Sequence, residues 1–560
     1  MAADAALSAL RPAAEIGSAS RPTSSRTTGT RQALLLFARF RNEGSTTVPS
    51  WAAQVFDPSL PGSFSHYWDT VSFGQLRVRG VVAPQVYLSK YDVTGYLGDD
   101  STGVGRLGRF SREVLERADP DMDFAAFDND GPDGVPDSGD DDGFVDALFI
   151  VIASAPKDFL QGAATGIANL GLGAQAAGDS ATAGLATTDR GASGQPIRVG
   201  SDRGAILQGR TLAQAVGSMC HEYGHVLGLP DLYDTAYLRT PGAAPEQDSG
   251  GVGRWCLMGR GALGWHGDDG PTSLCAWSRL QLGWAVAQRP TQEQADIALQ
   301  GVGRQGSVLE VPMGRGESFL VEYRRRSTSW FDRHLPAEGL LVWHVTGGAS
   351  RAVDLECADG RWSDAGYRTG TQAAPADGGD NLDFWAHDPA YAAAHAGNLG
   401  DATDPFDGVR FTAFAPEGNP AALGADGQGQ IRLEGIRLDG DVAHARLTVA
   451  PARLVLEALW PAAPHVVAGA SLSLPFALRN NGALPATGLA AGVVYESNRV
   501  LADRVETELR DVEGGGYLMA SDLYADASLR VRLDPGWGPS ARRGCRCRCG
   551  RRGRWWRRTP

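Results

Sequence analysis

The stretch Cys220-His221-Glu222-Tyr223-Gly224-His225-Val226-Leu227-Gly228-Leu229-Pro230-Asp231-Leu232-Tyr233-Asp234 decides how this chain is read. The preceding residues, Thr211 to Met219, carry Leu212, Val216 and Met219 at helical spacing and no proline, which predicts a helix entering the motif. Residues i and i+4 of a helix lie one turn apart on one face. His221 and His225 can therefore aim two imidazole nitrogens at one point, each about 2 Å away, as tetrahedral zinc requires. Glu222 stands beside the first, where a carboxylate can take a proton from a metal-activated water. Gly228 permits the left-handed backbone that ends a helix and turns the chain. Either Asp231, returned by that turn, or a carboxylate from elsewhere completes a set of three with a fourth position open to water. That is the pattern of a catalytic zinc site. A bare His-Glu-x-x-His can also arise by chance on a buried helix, but the Gly and Asp at fixed offsets argue against coincidence.

At 560 residues the chain exceeds a single core, and its length suggests about three domains. A formal charge of −13, with the acids clustered, excludes nucleic acid as a natural partner. No apolar run is long enough for a transmembrane helix. Met1 to Thr30 is rich in Ala, Ser, Thr, Arg and Pro and reads as disordered, with no recognisable signal peptide. Of seven cysteines, only Cys220, Cys256, Cys275 and Cys357 precede the C-terminal tail, too few for a disulfide framework. Cys256 and Cys275 could pair in an oxidising compartment.

Asp121 to Asp146 is the second informative stretch. Aspartates at alternating positions, then Gly, then Asp three residues on, are how a short loop wraps oxygens around Ca²⁺. Asp140, Asp142, Gly143 and Asp146 fit that spacing, with Ser138 at its first position. Asp128, Asp130, Asp133 and Asp137 form a looser copy. A solvated acidic loop would look similar, yet so many carboxylates repel one another unless a cation sits among them.

Gln32 to Phe40 and Ala147 to Ala155 read as buried strands, and Phe64 to Val78 as helix, turn and strand. Gly-punctuated sequence around Met258 suggests a turn with a thioether beneath the metal. His66, His334 and His344 read as packed histidines rather than ligands, and Asp380, Asp401, Asp404 and Asp407 as a polar surface loop.

Together these features resemble the immune-inhibitor-A-like (M6) metallopeptidases, a group of secreted bacterial proteases. His-Glu-Tyr-Gly-His-x-x-Gly-Leu-Pro-Asp-x-Tyr-Asp carries the resemblance. Tyr67-Trp68, Ser72-Phe73-Gly74, Met258 after Trp255, Trp277 to Trp284, Phe319 to Arg324 and Gly339 to His344 are similar too. The resemblance covers roughly residues 31 to 450. It implies an α+β fold with a metzincin-like catalytic domain, in which a twisted sheet lies over the zinc helix and Met258 forms the Met-turn. It also implies Zn²⁺ on His221, His225 and Asp231, Glu222 as general base, protein or peptide substrates, and secretion. Tyr233 is a further candidate donor.

The expected organisation is a disordered 1–30, a catalytic domain 31–290, a β-rich extension 291–450 and an immunoglobulin-like β-sandwich 451–535. Residues 536–560, rich in Arg and Cys, read as a frameshifted end. The sequence thus points to a monomeric zinc endopeptidase with a structural Ca²⁺. A non-catalytic calcium-dependent binding protein with a degenerate peptidase fold is the alternative.

Overall fold

The apolar run Ala33-Leu34-Leu35-Leu36-Phe37-Ala38 forms the middle of a long strand, Gly29–Arg39. In the computed structural model this strand pairs in parallel with Leu76–Leu88 on one side and Ala147–Ile152 on the other. Gly204–Gln208 continues the sheet in parallel, and the short strand Gly166–Ile167 closes it antiparallel. The structure describes residues 24–233 except 45, 99–104, 161–163 and 173–183, and 250–360 except 304–306, 315 and 347–352. It also describes 399–458 except 426, residues 10–12, and segments between 471 and 557.

A strand flanked in parallel on both sides is covered on both faces, which is why its sequence shows no polar alternation. Successive side chains still point to opposite faces. Ala33, Leu35 and Phe37 enter the core shared with Val216, Met219 and Tyr223. Leu34, Leu36 and Ala38 enter a second core with Phe110, Val114 and Leu115 of the helix Leu107–Ala118. Helices Phe64–Val71 and Leu212–Val226 thus cover one face and Leu107–Ala118 the other.

Leu212–Val226 begins at Thr211, whose hydroxyl accepts the Gln214 amide at 3.2 Å, a cap contributing about 1 kcal/mol. Two glycines, 217 and 224, stand two turns apart on one face. A Cβ at Gly217 would lie 2.0 Å from the Ala262 carbonyl oxygen, and one at Gly224 would lie 2.5 Å from Met258 Sδ. The helix therefore rests directly on the segment 252–263, with no side chain between backbones at Gly217.

A six-stranded sheet follows, ordered Leu10–Pro12, Ala287–Pro290, Val308–Gly314, Glu317–Arg324, Gly339–Val345 and Val353–Leu355. Gln294–Gln300, Val442–Val449 and Ile431–Asp439 form a three-stranded sheet, and residues of both sheets share a third core. No break in packing marks position 290: Leu320, Leu341, Trp343 and Leu355 belong to the same core as the helix Leu212–Val226. Buried charges reinforce that continuity. Arg279 pairs with Glu322 and Arg324 with Asp332, all almost fully excluded from solvent, and Trp343 Nε1 donates to Glu322 at 3.0 Å. Removing one member of such a pair would strand a buried charge.

One expectation needs qualification. Residues 1–30 are not uniformly disordered, because Leu10–Pro12 pairs with Ala287–Pro290 and Ser24–Thr27 is helical. Backbone pairing at an open sheet edge needs no apolar pattern, so composition alone could not show it. In the C-terminal tail, Arg546–Arg551 forms a strand paired with Leu489–Val494. From Leu454 onward the described segments form three small sheets, each built on antiparallel pairs. Cys220, Cys256 and Cys275 are buried free thiols, so Cys256 and Cys275 form no disulfide. Among the described residues no helix is long and apolar enough to cross a membrane.

Candidate metal centre

The helix Leu212–Val226 places His221 and His225 one turn apart, with ring centroids 4.9 Å from each other. Gly228, at φ 96°, turns the chain directly after the helix. The Leu229 amide then donates to the Gly224 carbonyl at 3.0 Å. Pro230 and Asp231 follow, and the Asp231 carboxylate comes back over the helix. Its Oδ1 lies 3.1 Å from His221 Nε2 and 3.4 Å from His225 Nε2.

The other ring nitrogens define the chemistry. His221 Nδ1 lies 3.0 Å from the Leu257 carbonyl and His225 Nδ1 lies 2.8 Å from the Leu229 carbonyl. A carbonyl oxygen only accepts, so each Nδ1 carries the proton and donates it. In the neutral rings both Nε2 lone pairs then face Asp231 Oδ1, three acceptors within 4.8 Å of one another. Acceptors so arranged repel unless a proton or a metal lies between them. Ligand atoms on tetrahedral zinc at 2.0–2.1 Å are about 3.3 Å apart, close to both measured separations. Backbone carbonyls holding Nδ1 are the usual second layer of a His–metal site.

Without a metal, protonated imidazole fills that role. Burial disfavours the charge on His225, but Asp231 and Glu222 outweigh it and lift its pKa to about 9. Burial works against the Asp231 anion too, yet the two histidines hold its carboxyl far below the usual range.

Glu222 is buried beside this cluster. Burial raises its pKa, opposed by His221, His225 and a backbone hydrogen bond from Ala168. The edge strand runs against it: a Cβ at Gly166 would lie 2.4 Å from Glu222 Oε1. Met258 is fully buried beneath Gly224, and its carbonyl accepts the Leu232 amide at 2.8 Å. Tyr233 faces the His221 ring at 6.3 Å between centroids, with the Arg260 guanidinium 4.0 Å above its own ring. Asp234 lies outside the described residues.

The acidic loop is arranged differently from its sequence spacing. Asp128, Asp130 and Asp141 bring one oxygen each within 4.8 Å of the others. Asp128 is almost fully buried and its Oδ1 has no hydrogen-bond partner. Burial, then the charges of Asp141 and Asp142, push its pKa up to about 7. The other aspartates expected here are engaged elsewhere. Asp142 pairs with Arg203, which also stands 3.6 Å from Asp130. Asp146 accepts the amides of Gln32 at 2.7 Å and Asn129 at 3.3 Å, fastening the loop to the central strand. Asp133, Asp137 and Asp140 accept the amides of Val135, Ala192 and Asp133. Asp141 was missed because it falls between the two positions of the calcium pattern.

His66 and His344 are packed, whereas His334 is 40% exposed. His66 lies against Phe331 at 5.1 Å between centroids, and His344 bridges Glu317 at 2.6 Å and Glu356 at 3.1 Å. Asp404 departs from expectation. It is buried rather than on the surface, accepting Trp255 Nε1 at 2.6 Å and the Asp401 amide at 2.7 Å. Asp380 lies outside the described residues.

Comparison with known proteins places this geometry. Residues 53–288 match the immune inhibitor A peptidase M6 catalytic domain. A segment of 78 residues is 38% identical to the pre-pro-metalloprotease PrtV of two Vibrio cholerae serotype O1 strains, M66-2 and El Tor Inaba N16961. That segment is 13% of this chain and spans only 7% of the length of those relatives. Over residues 53–288, then, the chain is similar to the catalytic domain of the immune inhibitor A peptidase M6 family.

Proposed function

We propose that this chain is a zinc-dependent endopeptidase, with His221, His225 and Asp231 as ligands and Glu222 as general base. The observation that carries the reading is the convergence of two Nε2 lone pairs and Asp231 Oδ1, each ring fixed from behind by a backbone carbonyl. Bound there, zinc would supply a Lewis acid that acidifies water and polarises a carbonyl.

The protein's own groups account for the rest. Glu222 is desolvated, so its carboxyl holds a proton more readily than a surface glutamate, as a group that takes one and returns it must. The Ala168 amide and the close backbone at Gly166 keep it pointed at the cluster. Beyond Gly166–Ile167 no further strand pairs among the described residues, which leaves an edge where an extended peptide could add itself beside Glu222. Proton delivery to the leaving amine would come from the same Glu222. Tyr233 stands close enough to Asp231 for their charges to interact and is read as an additional donor.

Asp128, Asp130 and Asp141 are proposed to hold a Ca²⁺, because a buried unpartnered carboxylate oxygen among like charges calls for a cation. A metzincin-like architecture, action outside the cell and a monomeric state belong to the same proposal.

The test is Glu222→Gln. It should retain zinc while losing casein hydrolysis by about 10²- to 10⁴-fold, with chelators abolishing the wild-type activity. A variant cutting casein at the wild-type rate would sink the mechanism. Stoichiometric zinc with no cleavage by the wild type would favour a non-catalytic binding protein.

A further inference from the structure

His266, Asp269 and His334 form a second cluster of metal-binding side chains, on segments other than the ligand helix. His266 Nδ1 lies 2.8 Å from Asp269 Oδ2, and His334 Nε2 lies 3.7 Å from Asp269 Oδ1. The two imidazole centroids are 5.1 Å apart. One ligand atom from each residue falls within 4.8 Å of the others. These distances run to the two different oxygens of the one carboxylate and lie on either side of the ~3.3 Å expected between ligands of a tetrahedral zinc.

The carboxylate at the centre is held in place before any ion arrives. The His266 amide donates to Asp269 Oδ2 at 2.9 Å, and Arg333 donates to the Asp269 carbonyl at 2.8 Å. Gly264, at φ 71°, lets the loop fold back so closely that a Cβ would lie 2.6 Å from Asp269 Cβ. The Arg333 guanidinium is stacked 3.3 Å over Trp330, which keeps the nearby positive charge on the ring. The histidine side chains are 64% and 40% exposed, so an ion can enter from solvent, whereas Asp269 is mostly covered at 14%.

We propose that His266, Asp269 and His334 are a second site for a transition-metal ion of borderline softness, with Zn²⁺ as its probe. The ion would staple the segment following Met258 to the turn Ser329–Leu335. That turn already presses on the helix Phe64–Val71, with Phe331 at 4.7 Å from the Tyr67 ring and Trp330 closing over Gly62. One ion would therefore tie together three parts of the catalytic core that sequence keeps far apart. Two imidazoles and a carboxylate suit zinc, and solvent can complete the coordination.

The full chain and the double variant His266→Ala/His334→Ala would be dialysed to equilibrium against Zn²⁺, then analysed for metal content and melting temperature. The wild type should hold one zinc equivalent more than the variant, and the last equivalent should raise the melting temperature of the wild type alone. Asp269→Asn should lose the same equivalent. His221→Ala should keep it, so failure of the proposed catalytic site would leave this result readable. Casein hydrolysis should be unchanged in the double variant. Equal zinc content in wild type and double variant would overturn the proposal.

Discussion

The ligand helix and the acidic loop both looked like metal sites in sequence, and the structure treats them differently. On the helix, His221 and His225 meet because every residue four positions on returns to the same face, and Gly228 brings Asp231 to join them. In the loop, Asp128 and Asp130 of the seven expected aspartates reach the cluster, and Asp141 joins them. The other five bind amides or Arg203. A repeating backbone converts spacing into position. In irregular backbone each carboxylate is also a competitor for nearby N–H groups, and spacing does not say which will win.

Breaking the helix-borne set should give the largest effect. Asp231→Ala leaves two imidazoles facing an open position and removes the acceptor they share. On the proposed mechanism, zinc content should fall to background and casein hydrolysis by more than about 10³-fold, since the metal would supply the electrostatic stabilisation of the reaction. Zinc retained at wild-type level would show that another carboxylate completes the set and that Gly228 positions Asp231 for some other purpose.

Next in size is the surface on which the helix rests. Gly217→Ala would drive a Cβ to within 2.0 Å of the Ala262 carbonyl, a backbone atom with no side-chain freedom to yield. Destabilisation of about 1–3 kcal/mol is expected, read as the midpoint of urea unfolding. Because the helix must shift, activity should fall beyond what the lost stability explains. An alanine variant with wild-type stability would mean that the helix floats on its support.

These cases show how far the sequence could be read. His221, Glu222, His225 and Asp231 were visible because helix and glycine turn translate directly into space. The central strand was visible because Ala33 to Ala38 is apolar on both faces. The carbonyls of Leu257 and Leu229 behind the histidines were not, since a backbone atom leaves no mark in residue identity. The continuity of the core across position 290 was also hidden: Leu341 and Trp343 meet the ligand helix through folding of distant strands. His334 read as ordinary because its partners lie 65 and 68 positions earlier in the chain.

Asp404 sharpens the comparison from a third direction, as a buried acid satisfied by donors rather than by other carboxylates. Burial, then Asp401, push its pKa up to about 8, although the Trp255 and Asp401 hydrogen bonds oppose the shift. The folded pKa exceeds the unfolded value near 3.9, so the folded state binds the extra proton. Its stabilising contribution is complete below about pH 4 and is lost as pH rises toward 8, with a slope approaching about 1.4 kcal/mol per pH unit. Asp404→Asn should flatten that part of the stability profile, measured by urea unfolding between pH 5 and 8. An unchanged slope would assign the pH dependence to other groups.

The smallest effect discriminates most finely between spacing and structure in the acidic loop. If Asp128, Asp130 and Asp141 hold Ca²⁺, calcium should raise the melting temperature of the wild type by a few degrees, equivalent to about 1 kcal/mol. Asp141→Asn should abolish that shift, although the calcium pattern in the sequence passes over Asp141. Asp133→Asn should leave it intact, although the pattern includes Asp133, because that carboxylate already accepts the Val135 amide. The opposite result would restore the sequence pattern and make the hydrogen bonds of Asp133 and Asp140 a metal-free arrangement that calcium displaces. Either way the pair of variants measures what the two sites have in common. A ligand set can be read from residue spacing only where the backbone between its members is regular.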